Sequence, residues 1–325
     1  MAKRVLVTGG AGFIGSHICE HFLECGWTVE VADDLSTGKR ENLPSGPTLH
    51  VLDVRSEDAA RLVHDGAFDA LVHVAGQIDV RKSVADPVFD AGVNVIGTVN
   101  LLEALRRSPH GKKCRVLFSS TGGALYGDFV TPPNKETAPK DPESPYAVAK
   151  LAAEYYLAYY GRVHGLNAVA LRFGNVYGPR QDPHGEAGVV AIFCGRILDG
   201  RPLTIFGDGR QTRDYVYVRD VAAATFAAAS KALPPVERLD SRAFNIGTGV
   251  ATSVTELANV LLKVADAHVP IEHAPSRPGE QQHSVLNVTK ASESLGWKPA
   301  VTLAEGLKAS FDWFTSRHRA LAGRA

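Results

Sequence analysis

Net charge is missing from this chain: Lys and Arg number 35, as do Asp and Glu. No long-range field therefore exists to gather nucleic acid or an anionic membrane, and any bound anion must be held by local groups. Cysteine is also scarce. Cys19, Cys25, Cys114 and Cys194 form no CxxC pair, and three of them fall in apolar or helical stretches where a free thiol fills core. A reducing, cytoplasmic setting is the expectation. Long apolar runs are lacking too, none approaching the roughly 18 residues of a membrane span. Met1-Ala2 leads directly into Lys3-Arg4-Val5 without a leader pattern. No membrane and no nucleic-acid partner is expected, and no internal repeat or low-complexity segment is present.

What the chain does have is length and punctuation. Its 325 residues fit one large or two moderate domains, and 45% of them are hydrophobic, with 31 glycines and 18 prolines. The densest punctuation comes first. Val5 to Val7 reads as a buried strand, broken by Gly9, Gly12 and Gly15, after which Ile14, Ile18 and Phe22 mark one face of a helix. Glycines so spaced let the backbone reverse, approach a pyrophosphate and pack helix on strand. The helix N-terminus offers unpaired N–H groups and a positive dipole end to that anion. A second strand, Thr28 to Ala32, ends in Asp33, placed to bind both hydroxyls of an adenosine ribose. A carboxylate there repels a 2′-phosphate, so NAD is expected over NADP.

Further along, Asp34-Leu35-Ser36-Thr37-Gly38-Lys39 reads as a polar loop. A third strand, Leu49 to Leu52, ends in Asp53-Val54, and Ser56 caps a helix to about Gly66. A fourth, Ala70 to Val74, ends in Ala75-Gly76-Gln77, whose small residues let a dinucleotide lie close. Ser83 to Asp86 leads into a long helix with Val93, Val95, Val99, Leu101, Leu102 and Leu105 as its apolar positions, and strand five spans Arg115 to Ser119. This alternation predicts an α/β fold with a doubly wound, Rossmann-type parallel sheet. The HxxEH string from His17 to His21 matches a zinc motif, but it sits on the helix after the glycine turn, so no metal site is expected there.

A second constellation joins Ser119-Ser120-Thr121-Gly122-Gly123 to Ser144-Pro145-Tyr146-Ala147-Val148-Ala149-Lys150. Tyr146 and Lys150 are spaced to share one helical face, and strand five delivers a hydroxyl from its end to the same spot. A tyrosine with a reference pKa of about 10 is a poor base at neutral pH unless a cation favours its phenolate. Lys150 supplies that cation. Such a tyrosine removes a proton from a sugar hydroxyl while the neighbouring carbon gives hydride to NAD.

These motifs resemble the NAD-dependent sugar epimerase/dehydratase branch of the extended short-chain dehydrogenases/reductases, most closely UDP-glucose 4-epimerases. The resemblance runs through GGAGFIG, DLSTGK, HVAGQIDVRKSV, SSTGGALYG, SPYAVAK, LRFGNVYGPRQ, FGDGRQTRDYVYVRDV, FNIGTG, RPGE and LGWKP, nearly the whole chain. It implies that Tyr146 is the general base and Lys150 its partner and a nicotinamide-ribose ligand. Thr121 would be the hydroxyl that meets substrate and phenolate, with Ser120 a near rival because SSTGG is one residue longer than the commoner serine-rich version. NAD contacts are implied at Gly9, Gly12, Phe13, Ile14, Gly15, Asp33, Asp34, Ser36, Thr37, Gly38, Asp53, Val54, Ala75, Gln77, Asn94, Ser119 and Phe173. UDP-sugar contacts are implied at Asn175, Val189, Phe206, Arg213, Tyr215, Arg277, Glu280 and Ser284. The chemistry agrees, since two arginines grip a diphosphate and an acid holds ribose hydroxyls.

The implied reaction is interconversion of UDP-glucose and UDP-galactose through a 4-keto sugar. Ser284, seven after the RPGE arginine, stands where a tyrosine narrows the pocket of some relatives, so UDP-N-acetylhexosamines should also be accepted. A 4,6-dehydratase of this family carries Asp-Glu after its active-site threonine; here Gly122-Gly123 follows Thr121. A UDP-glucuronate epimerase or decarboxylase is the alternative, with Arg81 and Arg180 near the site as carboxylate partners. A non-catalytic dinucleotide sensor would be expected to have lost Tyr146 and Lys150. The domain expectation is an NAD-binding part from 1–175 plus 219–246 and a discontinuous UDP-sugar part from 176–218 plus 247–325. A homodimer is expected through the helices that follow Ser83 and Ser144.

Overall fold

A computed structural model describes residues 2–183, 188–276 and 281–322. Strands and helices alternate through the first half: β1 (Arg4–Thr8), α1 (Phe13–Glu24), β2 (Thr28–Asp33), β3 (Thr48–Val51), α2 (Glu57–Asp65), β4 (Ala70–His73), α3 (Val80–Ala85), α4 (Pro87–Ala91), α5 (Gly97–Arg107), β5 (Arg115–Thr121), α6 (Pro145–His164) and β6 (Asn167–Phe173). The second half is more broken: β7 (Asn175–Tyr177), α7 (Val189–Leu198), β8 (Leu203–Phe206), β9 (Thr212–Arg213), β10 (Tyr215–Tyr217), α8 (Val218–Ser230), β11 (Ala243–Ile246), β12 (Thr252–Ser253), α9 (Val254–Ala265), β13 (Ile271–Ala274), β14 (His283–Ser284), α10 (Thr289–Leu295) and α11 (Leu303–Ala322).

A seven-stranded sheet in the order β11-β6-β5-β4-β1-β2-β3 organises the first half, with every pairing parallel. Its middle strands read as apolar runs because helices cover both faces. Val5 and Val7 join Ile18, Phe22 and Val221 on one side, whereas Leu6 between them joins Leu71, Leu101 and Leu157 on the other. Strand order reverses beside β1, which has β2 on one flank and β4 on the other. Ligands of such sheets bind in the crevice at that reversal, beyond the carboxyl ends of the strands. A third apolar cluster, from α7, α9 and α11 with β8 and β10, forms the smaller lobe.

The long helix before β5 forms as expected, and two other expectations need correction. The long helix that Ser83 to Asp86 leads into starts at Pro87, where Asp86 caps it by accepting the Phe89 N–H at 2.9 Å, and runs to Arg107. A π-helical turn at Gly92–Ile96 then separates α4 from α5. Taken through that turn, Pro87–Arg107 has 21 residues and a window of mean hydropathy 1.3, so a stretch long and apolar enough for a membrane span does exist. Within the fold, 44% of that window is buried, and the stretch packs on α2 and α6. Finally, Ala291, Leu295 and Trp297, expected with the smaller lobe, pack into the core beneath the sheet.

Candidate active site

The turn after β1 has the shape its glycines require. Gly9 has φ +71°, and a Cβ at Gly15 would lie 2.1 Å from the Gly9 carbonyl oxygen, so neither position accommodates a side chain without moving backbone. Gly12 caps α1 with no side-chain acceptor, which leaves the first amides of the helix, including those of Phe13 and Ile14, to a ligand. At the end of β2, Asp33 accepts N–H bonds from Ala11 and Leu35, both at 2.9 Å. Burial pushes its carboxyl up, and those two donors pull against the shift. The loop that follows is self-contained near its start, where Ser36 donates backbone N–H and hydroxyl to Asp34. A Cβ at Gly38 would press on the Asp33 carboxylate at 2.6 Å. Asp53 is gripped in a fork by Arg55, at 2.6 Å from Nη2 and 3.0 Å from Nε, and Val54 is buried.

Tyr146 and Lys150 sit in the first turns of α6, which Ser144 caps by accepting the Ala147 N–H, with Pro145 at the first helical position. Lys150 is buried and donates to the Ser119 carbonyl at 3.0 Å, with its ammonium 5.9 Å from the centre of the Tyr146 ring. Burial pulls the ammonium down to about 8, against the nearby carboxylates of Asp90 and Glu154. Tyr146 is half-buried at the mouth. Alternation along β5 divides the three hydroxyls at its end. Ser119 and Thr121 are partly exposed, while Ser120 points to the opposite side, 4% exposed, and donates to Glu154 at 2.5 Å. Glu154 is also forked by the fully buried Arg172, at 2.6 Å and 3.0 Å. Ser120, expected as a substrate contact and rival hydroxyl, is therefore part of the buried support.

Beside Lys150 lies a second buried network that sequence reasoning only touched at Gln77 and Asn94. Asn94 donates to the Gln77 carbonyl and to Asp90, and Gln77 donates to the same Asp90 oxygen at 2.8 Å. Asn94 Oδ1 is buried with no partner of its own. A Cβ at Gly76 would stand 2.7 Å from that oxygen and 3.3 Å from the Lys150 ammonium, so the glycine beside Ala75 keeps a gap open between an unmet acceptor and a cation. Behind it, Thr98 donates to the Asn94 carbonyl and so receives the Nε2–H of His73, whose Nδ1 accepts from Thr8 at 2.7 Å. Burial, aided by Lys150, pushes this imidazole down to about 3 and keeps it neutral.

Across the cleft, a Cβ at Gly123 would fall within 4.0 Å of Asn175 Oδ1, Ser284 Oγ and Thr121 Oγ1, so three hydroxyl or amide oxygens converge where this glycine leaves room. Arg213 and Tyr215 flank Asp214 on β9 and β10. Val189 opens α7 and Phe206 ends β8, both half-buried at the smaller lobe. Phe173 is not at the surface of the cleft; it is 5% exposed in the core, and its carbonyl accepts the Gly122 N–H. Arg277 and Glu280 lie outside the described residues.

The arginines considered as uronate partners are engaged elsewhere. Arg180 bonds to Ser16 and Glu20 on α1, and Arg81 is largely exposed beside Asp79. The HxxEH string serves the same joint: His17 bonds the Pro179 carbonyl at 3.0 Å while Glu20 holds Arg180. No group of three or more His, Cys, Asp or Glu fit to hold a metal occurs among the described residues. A dinucleotide fits what is present: open helix amides, a carboxylate at the end of β2, and the unmet Asn94 oxygen beside Lys150. Glu154, Asp90 and His73 were missed in the sequence because only their spacing from Lys150, Asn94 and the β4 end marks them.

A sequence model of the GDP-mannose 4,6 dehydratase family matches residues 6–310. A protein of Mycolicibacterium smegmatis named UDP-glucose 4-epimerase is 43% identical over 319 residues, covering 97% of this chain and 99% of its own. A solved UDP-glucose 4-epimerase of Thermotoga maritima, holding UDP-glucose, superposes with a TM-score of 0.91 at 42% identity, over 97% of this chain and 99% of that one. Another, from Thermus thermophilus in complex with NAD, gives 0.87 at 44% identity, over 96% and 99%. With the glycine turn, the Tyr146–Lys150 pair and matches that span both lobes, the chain belongs to the sugar epimerase/dehydratase family of extended short-chain dehydrogenases/reductases.

Proposed function

We propose that the protein is an NAD-dependent UDP-hexose 4-epimerase that interconverts UDP-glucose and UDP-galactose and also accepts UDP-N-acetylhexosamines. The observation that carries this reading is the Tyr146–Lys150 pair held against the Ser119 end of β5, next to the space around Gly123 where Thr121, Asn175 and Ser284 meet. NAD, when bound, supplies a reversible hydride acceptor at the sugar carbon. Phe13, Ile14 and their turn would hold its diphosphate, Asp33 its adenosine ribose, and Asn94 and Lys150 its other ribose. Tyr146 takes the proton of the 4-hydroxyl, Lys150 favours the phenolate that makes this possible, and Thr121 orients the same oxygen. The 4-keto sugar must then turn over in the pocket before Tyr146 returns the proton, which inverts the hydroxyl without net oxidation. Asn175, Arg213, Tyr215, Arg277 and Glu280 anchor the nucleotide while the sugar moves.

An apolar face supports a homodimer. Val84 (63% exposed) and Val88 (81%) lie on α3 and α4, beside Val148, Tyr155 and Tyr159 on one stripe of α6. Helical faces of this kind become covered when two copies meet. The four cysteines are free thiols, which supports a reducing, cytoplasmic setting.

Proton NMR of UDP-glucose with the purified protein and no added NAD tests the reading. A stable mixture with UDP-galactose is expected. No galactose signal, even after NAD is added, would overturn it. Replacing Tyr146 with Phe should lower turnover by roughly 10³-fold with UDP affinity nearly unchanged; retained turnover removes Tyr146 as the base.

A further inference from the structure

The string Phe244 to Gly249 ends β11 in a glycine turn, Gly247-Thr248-Gly249, that reads like a second anion cradle. It is filled from within. The Asp214 carboxylate, 1% exposed, accepts the Thr248 N–H at 2.6 Å and its hydroxyl at 2.7 Å on one oxygen. The other oxygen accepts the N–H groups of Gly249 at 3.0 Å and Leu286 at 3.2 Å. The same residue's carbonyl accepts the Asn175 N–H at 2.7 Å. Close approach is built in, since a Cβ at Gly247 would stand 2.5 Å from the carboxylate and one at Gly174 would stand 2.8 Å from the carbonyl oxygen.

We infer that Asp214 is a positioning residue for the nucleotide-sugar site. It clamps together β7, β9, β10, the 247–249 turn and the segment after β14. Those segments carry Asn175, Arg213, Tyr215 and Ser284, and β9 aligns Arg213 directly with Ser284. None of these segments lies in the parallel sheet, so one buried carboxylate does for the substrate side what the sheet does for the cofactor side. A carboxylate suits the task because every group it faces is a donor; an amide in its place would turn an NH₂ toward two of them. The inference rests on the UDP-sugar reading of those residues.

The test uses the full-length, NAD-loaded protein and UDP as calorimetric probe. Asp214→Asn should weaken UDP binding by roughly 10- to 100-fold and raise KM similarly, with kcat within about 3-fold and NAD retention unchanged. Thr248→Val, which removes only one donor, should weaken UDP binding about 3-fold and serves if Asp214→Asn does not fold. Leu295→Ala, in the core beneath the sheet, should lower Tm without changing UDP affinity. The clamp is overturned if Asp214→Asn, or Thr248→Val in its place, binds UDP as the parent does. It is also overturned if NAD is lost in proportion, or if Leu295→Ala weakens UDP equally at matched Tm loss. Failure of the parent itself to bind UDP overturns the UDP-sugar reading, and the clamp with it.

Discussion

Gly9–Gly15 after β1 and Gly247–Gly249 after β11 are built alike, each a glycine turn at the carboxyl end of a parallel strand with a buried aspartate beside it. The difference lies in what the aspartate takes. Asp33 engages only the Ala11 N–H of its turn and leaves the amides that open α1 unclaimed, whereas Asp214 occupies its turn fully, taking Thr248 and Gly249 together. One turn therefore stays available to a diphosphate and the other becomes a structural joint. Glycine spacing alone does not separate a ligand site from a filled one; the donor count left over does.

The largest effect should come from occupying the open turn. Gly15→Ala places a methyl 2.1 Å from the Gly9 carbonyl oxygen, and turnover is expected to fall by more than about 10³-fold with bound NAD lost on gel filtration. Gly247→Ala, strained against Asp214, should instead spare NAD and weaken UDP. If both variants lose the same ligand, the distinction between the turns collapses.

Asp33→Asn sharpens it further. NAD affinity should drop about 10-fold, and the preference for NAD over NADP should narrow; tighter NADP binding by the parent would refute the role given to Asp33. Between the turns sits Lys150, whose charge the proposed reaction requires and whose burial lowers its pKa to about 8. The ammonium is present below that value and lost as pH rises through it, so kcat should decline several-fold above about pH 8. Lys150→Met should be slower overall and lack that alkaline limb in a pH–rate profile.

The smallest change concerns specificity. Ser284 is buried with its hydroxyl 3.4 Å from the Gly123 carbonyl, and Ser284→Tyr must push into the space that Gly123 leaves. Turnover of UDP-N-acetylglucosamine should fall a few-fold relative to UDP-glucose, read by NMR of mixed substrates; an unchanged ratio removes Ser284 from the sugar pocket.

The sheet was legible because its strands are buried on both faces and announce themselves as apolar runs from Val5–Val7 onward. Tyr146 and Lys150 were legible because helical spacing alone puts them together. The short strands of the smaller lobe were not, since β9, β12 and β14 have two residues each and are held by partners far along the chain. Asp214 was read past for the same reason: its four donors come from residues 248–249 and 286, distant in sequence. The break at Asp86-Pro87 carried a visible cap signal, but the π-helical turn after it follows from local packing rather than from any residue pattern.

The alternation along β5 sorts the hydroxyls at its end into odd and even. Phe118 fixes the strand upstream in the core, and Gly122 fixes it downstream through its bond to the Phe173 carbonyl. Between those two fixed points Ser120 is turned to Glu154, while Ser119 and Thr121 stay partly exposed. Deleting one residue before Thr121 would exchange the two sides, sending the threonine to Glu154; deleting Gly123 would not.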